Sequence, residues 1–140
     1  LAGPFFNKSQ LEIIEKTKKV LGKNRIKFYS PKDECLYTPD NEVTSKEVFD
    51  GNIEAIRKCD FMIAVTDGRD VGTMFEAGVA FAINLPIVYL WVNHNDKPFN
   101  IMLAESGEYV AYGYKDLDTA LKVFKSTGLW PDIDIRGGLE

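Results

Sequence analysis

The sequence predicts an α/β domain built on one parallel sheet with helices on both faces. Two observations carry this. Short apolar runs of strand length alternate along the chain with segments whose apolar residues recur at helical spacing. The central run, Phe61–Thr66, is apolar almost throughout, as expected of a strand covered on both sides. At 140 residues, with 45% apolar and 27% charged residues, the chain fits one globular domain over residues 1–140.

The elements follow in order. Leu1–Gly3 reads as the end of a first strand running into a loop, so residues upstream of it are expected. Ser9 and Glu12 have capping-box spacing, and Leu11, Ile14, Val20 and Leu21 mark one helix face, closed by Gly22. Ile26–Tyr29 is a second strand, and Pro31 to Asn41 a polar loop. Thr44 and Glu47 form another capping box, opening a helix to about Lys58. Phe61–Thr66 is the third strand, followed by a helix from about Thr73 to Ile83. Pro86–Val92 is a fourth strand and Tyr109–Tyr112 a weaker fifth. Leu117–Phe124 lies in a last helix that stops at Gly128.

Composition removes several functions. A formal charge of −4 argues against a duplex nucleic-acid binder, which needs a basic face. No apolar run reaches the ~18 residues of a membrane span, and the N-terminus has no signal-peptide pattern. Cys35 and Cys59 have no metal-site spacing, which fits a reduced, cytoplasmic setting. A lone histidine, His94, speaks against a His-based metal site and a Ser-His-Asp triad.

Parallel sheets bind ligands beyond the carboxyl ends of their strands, at the switch in strand order. Three loops reach that edge: Gly3–Asn7, Ser30–Asn41 and Asp67–Thr73. The last leads into "TDGRDVGTMFEAGVA", whose acid Glu76 has two readings. Thr73-x-x-Glu76 is a capping-box spacing, which makes Glu76 a helix cap. Against that, Gly72, Ala77, Gly78 and Ala80 leave unusual room around it. A helical glycine costs about 1 kcal/mol, so Gly78 calls for close approach of a backbone or ligand. A carboxylate held ionised by the helix dipole is what nucleophilic attack on a sugar carbon requires. Asp67 and Asp70 are good turn residues, yet three acids so close repel unless a substrate or proton satisfies them.

Asn52 shares the apolar face of Val48 and Ile56; it either bonds a loop carbonyl in the core or reads a ligand edge. Phe5 and Phe6 either join the core or expose a ring for a planar ligand. Asn100 can cap a short helix. The turn Gly68–Gly72 is neither G-x-G-x-x-G nor a P-loop, so no dinucleotide or triphosphate site is indicated.

"LAGPFF", "DGRDVGTMFEAGVAFA" and "PFNIML", in this order, resemble the nucleoside 2-deoxyribosyltransferase family over Leu1 to Phe124. The resemblance implies a flavodoxin-like, five-stranded parallel sheet and transfer of a 2-deoxyribosyl group between nucleobases, without metal or organic cofactor. The implied partners are deoxynucleosides and free nucleobases, with no nucleic-acid polymer and no membrane. Glu76 matches the family's nucleophilic glutamate and Asp70 an active-site aspartate. Phe5 and Phe6 match an aromatic pair near the base, with Gly3 and Gly72 lining the substrate. Asn100 and Met102 match a segment that reaches a neighbouring subunit's site, which implies a homo-oligomer. Asn52 stands where many members carry an aspartate and Cys35 where a base-contacting glutamine falls. The family's tyrosine beside the nucleophile would lie immediately before Leu1. Two rival readings share the fold: an N-glycosidase acting on deoxynucleoside 5′-monophosphates, and a non-catalytic nucleoside or nucleotide sensor.

Overall fold

The computed structural model describes residues 1–34, 43–95 and 97–140. Three strands, β1 (Met62–Val65), β2 (Ile87–Leu90) and β3 (Tyr109–Ala111), pair in parallel in the order β1-β2-β3. Five were expected; among the described residues the two outer ones do not form as strands. Ala2 makes a single parallel bridge to Ala64, donating to Ile63 at 2.8 Å and accepting from Val65 at 2.9 Å. Outside it, the backbone nitrogen of Leu1 donates to the Tyr29 carbonyl at 2.8 Å, and Ile26–Tyr29 is otherwise unladdered. The reason is geometric. Alternate residues of a strand bond to opposite sides. Ala2 spends both its backbone groups on β1, so this short segment offers too few outward groups for a ladder.

The spatial order is therefore 26–29, Ala2, β1, β2, β3. The direction of chain progression reverses between Ala2 and β1, which makes that gap the switch point.

Helices cover both faces, as expected. Successive strand residues alternate between two cores: Met62, Ala64, Ile87 and Tyr89 on one side, Ile63, Val65, Val88 and Leu90 on the other. Helices α1 (Lys8–Lys23) and α6 (Tyr114–Thr127) bury Ile14, Leu21, Leu117 and Leu121 against the second face. Each such side chain contributes about 1.5–3 kcal/mol by leaving water. Helices α3 (Ser45–Lys58) and α4 (Val71–Ala82) place Ile56, Ala77 and Ala80 on the first face. The small residues let α4 lie close to the sheet.

Helix ends show which capping signals prevailed. The Thr44–Glu47 box forms as expected, and Gly128 closes α6 in the left-handed conformation at φ 74°. Helix α1 starts earlier than Ser9: Asn7 caps it, accepting from Gln10 N, while Gln10 Oε1 accepts from Phe6 N. It also runs past Gly22 to Lys23, with Asn24 as its C-cap. The expected loop after Ser30 contains the one-turn helix α2 (Pro31–Glu34). Helix α5 (Ile101–Ser106) is capped by Asn100, whose Oδ1 accepts from Met102 N and Leu103 N. The tail returns to the sheet's ligand edge, with Leu139 bridging Phe99 in parallel.

Candidate functional site

Asp67 and Asp70 leave β1 at the carboxyl edge of the sheet, and each is occupied by the chain itself. The buried Asp67 carboxylate accepts from Val92 N and Asn93 N, both at 2.8 Å, and from Asn93 Nδ2 at 2.7 Å. It clamps the loop after β1 to the loop after β2, so neither substrate nor proton is needed to satisfy it. Asp70 is the N-cap of α4: Oδ2 accepts from Thr73 N at 2.7 Å and Thr73 Oγ1 at 2.8 Å. Gly72 is tightly placed behind this cap, since a Cβ there would stand 3.2 Å from Asp70 Oδ2.

Glu76 is not a cap. The expected capping box from Thr73 fails because α4 begins at Val71, which puts Glu76 in the second turn, beyond reach of the free N–H groups. For the same reason the helix end does not hold it ionised. Burial pushes its carboxyl above the ordinary value, and the Asp70 carboxylate adds to the rise. Among the described residues no donor bonds to it and no cation lies within ion-pair distance. A half-buried carboxylate without partners is costly to keep, and such groups concentrate at functional sites.

Glu76 lines a crevice between Ala2, α3 and α4, directly at the switch point, together with Asn52, Tyr29 and Cys59. Tyr29 Oη donates to Asn52 Oδ1 at 3.0 Å. In this orientation the NH2 is the group left for a ligand; because a hydroxyl can also accept, the flipped amide would keep the bond and present its oxygen instead. The crevice encloses about 30 Å³, room for about one water molecule.

A second and larger cavity, about 750 Å³, opens beyond the carboxyl ends of β1 and β2. Trp91, Phe99, Met74 and Leu103 supply its apolar wall, and Asn7, Gln10, Asn93 and Asn100 bring carboxamides to it. Glu76 is not among its lining residues, because Met74 and Glu76 point to opposite sides of α4.

The structure thus brings together only part of the expected set. Asn52 and Glu76 share one crevice, with Asp70 at the head of the same helix. Asn100 lines the other cavity of its own chain, and Met102 is 74% exposed beside it. Phe5 and Phe6 stack on each other at 5.2 Å between centroids, with Phe6 exposed, and neither lines either cavity. Gly3 is fixed by packing: a Cβ would come within 2.7 Å of Ile14 Cδ1. Gly78 has open space beside it, contrary to the expected close approach. Cys35 lies outside the described residues. Tyr29 and Trp91 were missed, although each ends an apolar run facing the ligand edge, where such residues are the ones to examine.

Comparison with known proteins gives concordant results. The sequence model of the family described as nucleoside 2-deoxyribosyltransferase matches residues 1–112. A solved 2-deoxyribosyltransferase from the psychrotolerant bacterium Bacillus psychrosaccharolyticus superposes with a TM-score of 0.71 at 26% identity, covering 84% of this chain and 87% of that one. A conserved protein from Enterococcus faecalis V583 superposes at 0.68 with 20% identity over 86% of this chain and 94% of its own, a likeness of fold. Among curated proteins none matches the sequence. Among the described residues, no helix is long and apolar enough to cross a membrane.

Proposed function

From a chain that belongs to the nucleoside 2-deoxyribosyltransferase family, we propose an enzyme that moves a 2-deoxyribosyl group between nucleobases through a covalent ester on Glu76. The observation that carries this reading is the half-buried Glu76 carboxylate at the switch point, which has no bonding partner among the described residues while the neighbouring acids are already bonded.

The first displacement forms the bond from a Glu76 carboxylate oxygen to the anomeric carbon as the glycosidic C–N bond breaks. The electron pair leaves with the base, which takes a proton from solvent. In the second, a nitrogen of the incoming base attacks the same carbon, gives up its proton and releases the carboxylate. Two inversions restore the β configuration, as in retaining glycosidases. The absent 2′-hydroxyl makes the oxocarbenium-like transition state easier to reach, so the deoxy sugar is preferred.

Asn52 presents its NH2 to the base and Asp70 has Oδ1 left for a sugar hydroxyl. Phe5, Phe6, Gly3, Gly72 and Cys35 are assigned to substrate binding by the family resemblance alone. The chemistry draws on no metal or organic cofactor, and its partners are deoxynucleosides and free bases. The active form is a homo-oligomer in which Asn100 and Met102 complete a neighbour's site. An apolar stripe supports this: Val71, Phe75, Gly78 and Ala82 recur on the outward side of α4, with Val71 84% exposed.

The test is incubation of thymidine with free adenine, with products separated by chromatography, on the parent and on Glu76→Gln. The parent is expected to yield deoxyadenosine and thymine, and the variant to fold while turnover falls by several orders of magnitude. A folded, fully active Glu76→Gln protein overturns the covalent route. Cleavage of thymidine 5′-monophosphate in water, without transfer, would overturn the transferase reading in favour of a hydrolase.

A further inference from the structure

The 750 Å³ cavity beyond β1 and β2 is of ligand-site size and is separate from the Glu76 crevice. Its hydrogen-bonding character can be read from bonds already made. Asn7 Oδ1 accepts from Gln10 N, Gln10 Oε1 from Phe6 N, and Asn100 Oδ1 from two backbone N–H groups of α5. A backbone N–H can only be met by the oxygen of a carboxamide, so these three amides cannot be flipped. Each has its NH2 left over, and no described residue accepts from it.

Cations add to the donors. Lys97 stands exposed on the rim, and Arg69 beside it is held by Glu140. The described carboxylates of the wall are spent: Asp67 accepts three bonds, and Glu140 pairs with Arg69 at 2.7 Å. One amide is oriented the other way, since Asn93 gives its nitrogen to Asp67. The four charged residues of the lining are two cations and two carboxylates, so its excess of donors rests on the three amides and on Lys97. Beside it stand the Trp91 and Phe99 rings, 5.3 Å apart between centroids, an apolar surface suited to a flat ring.

We propose that this cavity is a second binding site, for a planar aromatic ring that carries an anionic, acceptor-rich group, such as a nucleoside monophosphate or a heteroaromatic carboxylate. The ring lies against Trp91 and Phe99, and the anion meets the NH2 groups of Asn7 and Gln10 and the ammonium of Lys97.

Substitution can invert the donors without disturbing the fold. Asp at position 7 and Glu at position 10 keep the oxygens that cap α1, and a negative charge at a helix N-terminus is favourable. Both replace an NH2 by an oxygen that repels an anion. The full chain is titrated by calorimetry with uridine 5′-monophosphate, orotate, uridine and inorganic phosphate, with Trp91 fluorescence as a second readout. One site per chain is expected for uridine 5′-monophosphate or orotate, half-saturated below about 1 mM. The Asn7→Asp, Gln10→Glu double variant should melt no lower than the parent and bind at least about tenfold more weakly. Lys97→Gln, whose side chain is exposed, should also weaken binding and serves if the double variant misfolds. Glu76→Gln should bind as the parent does.

The proposal is overturned by no binding of either anion at millimolar concentration. It is equally overturned if uridine or phosphate alone binds as well, since each lacks half of the recognised chemistry. Binding that is lost in Glu76→Gln and kept in the double variant would place the ligand in the Glu76 crevice and overturn it too.

Discussion

Replacing Asp67 by alanine tests whether this acid is a clamp or a reacting group. The carboxylate is 7% exposed and accepts three bonds of 2.7–2.8 Å from the segment after β2. A bond to a charged group is worth about 1.5–3 kcal/mol when buried, but Val92 and Asn93 stand partly in solvent, so water recovers some of it. The expected loss is about 3 kcal/mol, or about 6–12 °C in melting temperature for a domain of this size. Asp67→Asn keeps the shape and one accepting oxygen, and should lose about 2 kcal/mol. Thermal unfolding followed by circular dichroism, with urea titration to check that the m-value is unchanged, measures both. Because the clamp also holds the loop that leads to Asp70 and Glu76, transfer activity should fall with stability and recover partly on cooling. An Asp67→Ala protein that melts with the parent yet has no activity at any temperature would refute the clamp and make Asp67 part of the chemistry.

Further outcomes are expected. Burial raises the Glu76 carboxyl above 4.5, so the folded state holds its proton more tightly than the unfolded chain does. Stability is then lost as pH rises through the folded-state value: Glu76→Gln should be the more stable protein at neutral pH, with the gap closing below pH 4.5 in urea titrations. The acid limb of kcat/KM should lie above the ordinary carboxylate range for the same reason; an acid limb at or below it would contradict Glu76 as nucleophile. Asp118, held down to about 2 first by Lys122 and then by Asn24 and Lys23, contributes stability that is present above 3.8 and lost as pH falls toward 2. Asp118→Asn should flatten that part of the acid-unfolding curve. Gly78→Ala should stabilise α4 by about 1 kcal/mol if the helix stays in water, whereas Gly78→Arg should leave the fold intact and break an oligomer that packs on α4. Light scattering at assay concentration decides, and an active monomeric parent would remove the α4 interface.

Several parts of this protein were determined by sequence alone because they rest on local chemistry. The Thr44–Glu47 box, the Gly128 stop, the Asn100 cap and the central apolar runs each need only a few neighbouring residues, and all formed as expected. The succession of strands and helices, and with it two covered faces, follows from periodicity. Competition between equally good local signals was decided by packing. Asn7 prevailed over Ser9, and Asp70 over Thr73, and moving the start of α4 to Val71 turned Glu76 from a possible cap into a carboxylate with no bond among the described residues. The pairing of Tyr29 with Asn52, the capture of Asp67 by Val92 and Asn93, and the return of the tail to Phe99 join residues 23, 25 and 26, and about 40 positions apart. No window of sequence contains such partners. Only the assembled sheet, by setting which strand ends lie side by side, decided which acids are bonded and which, among the described residues, is not.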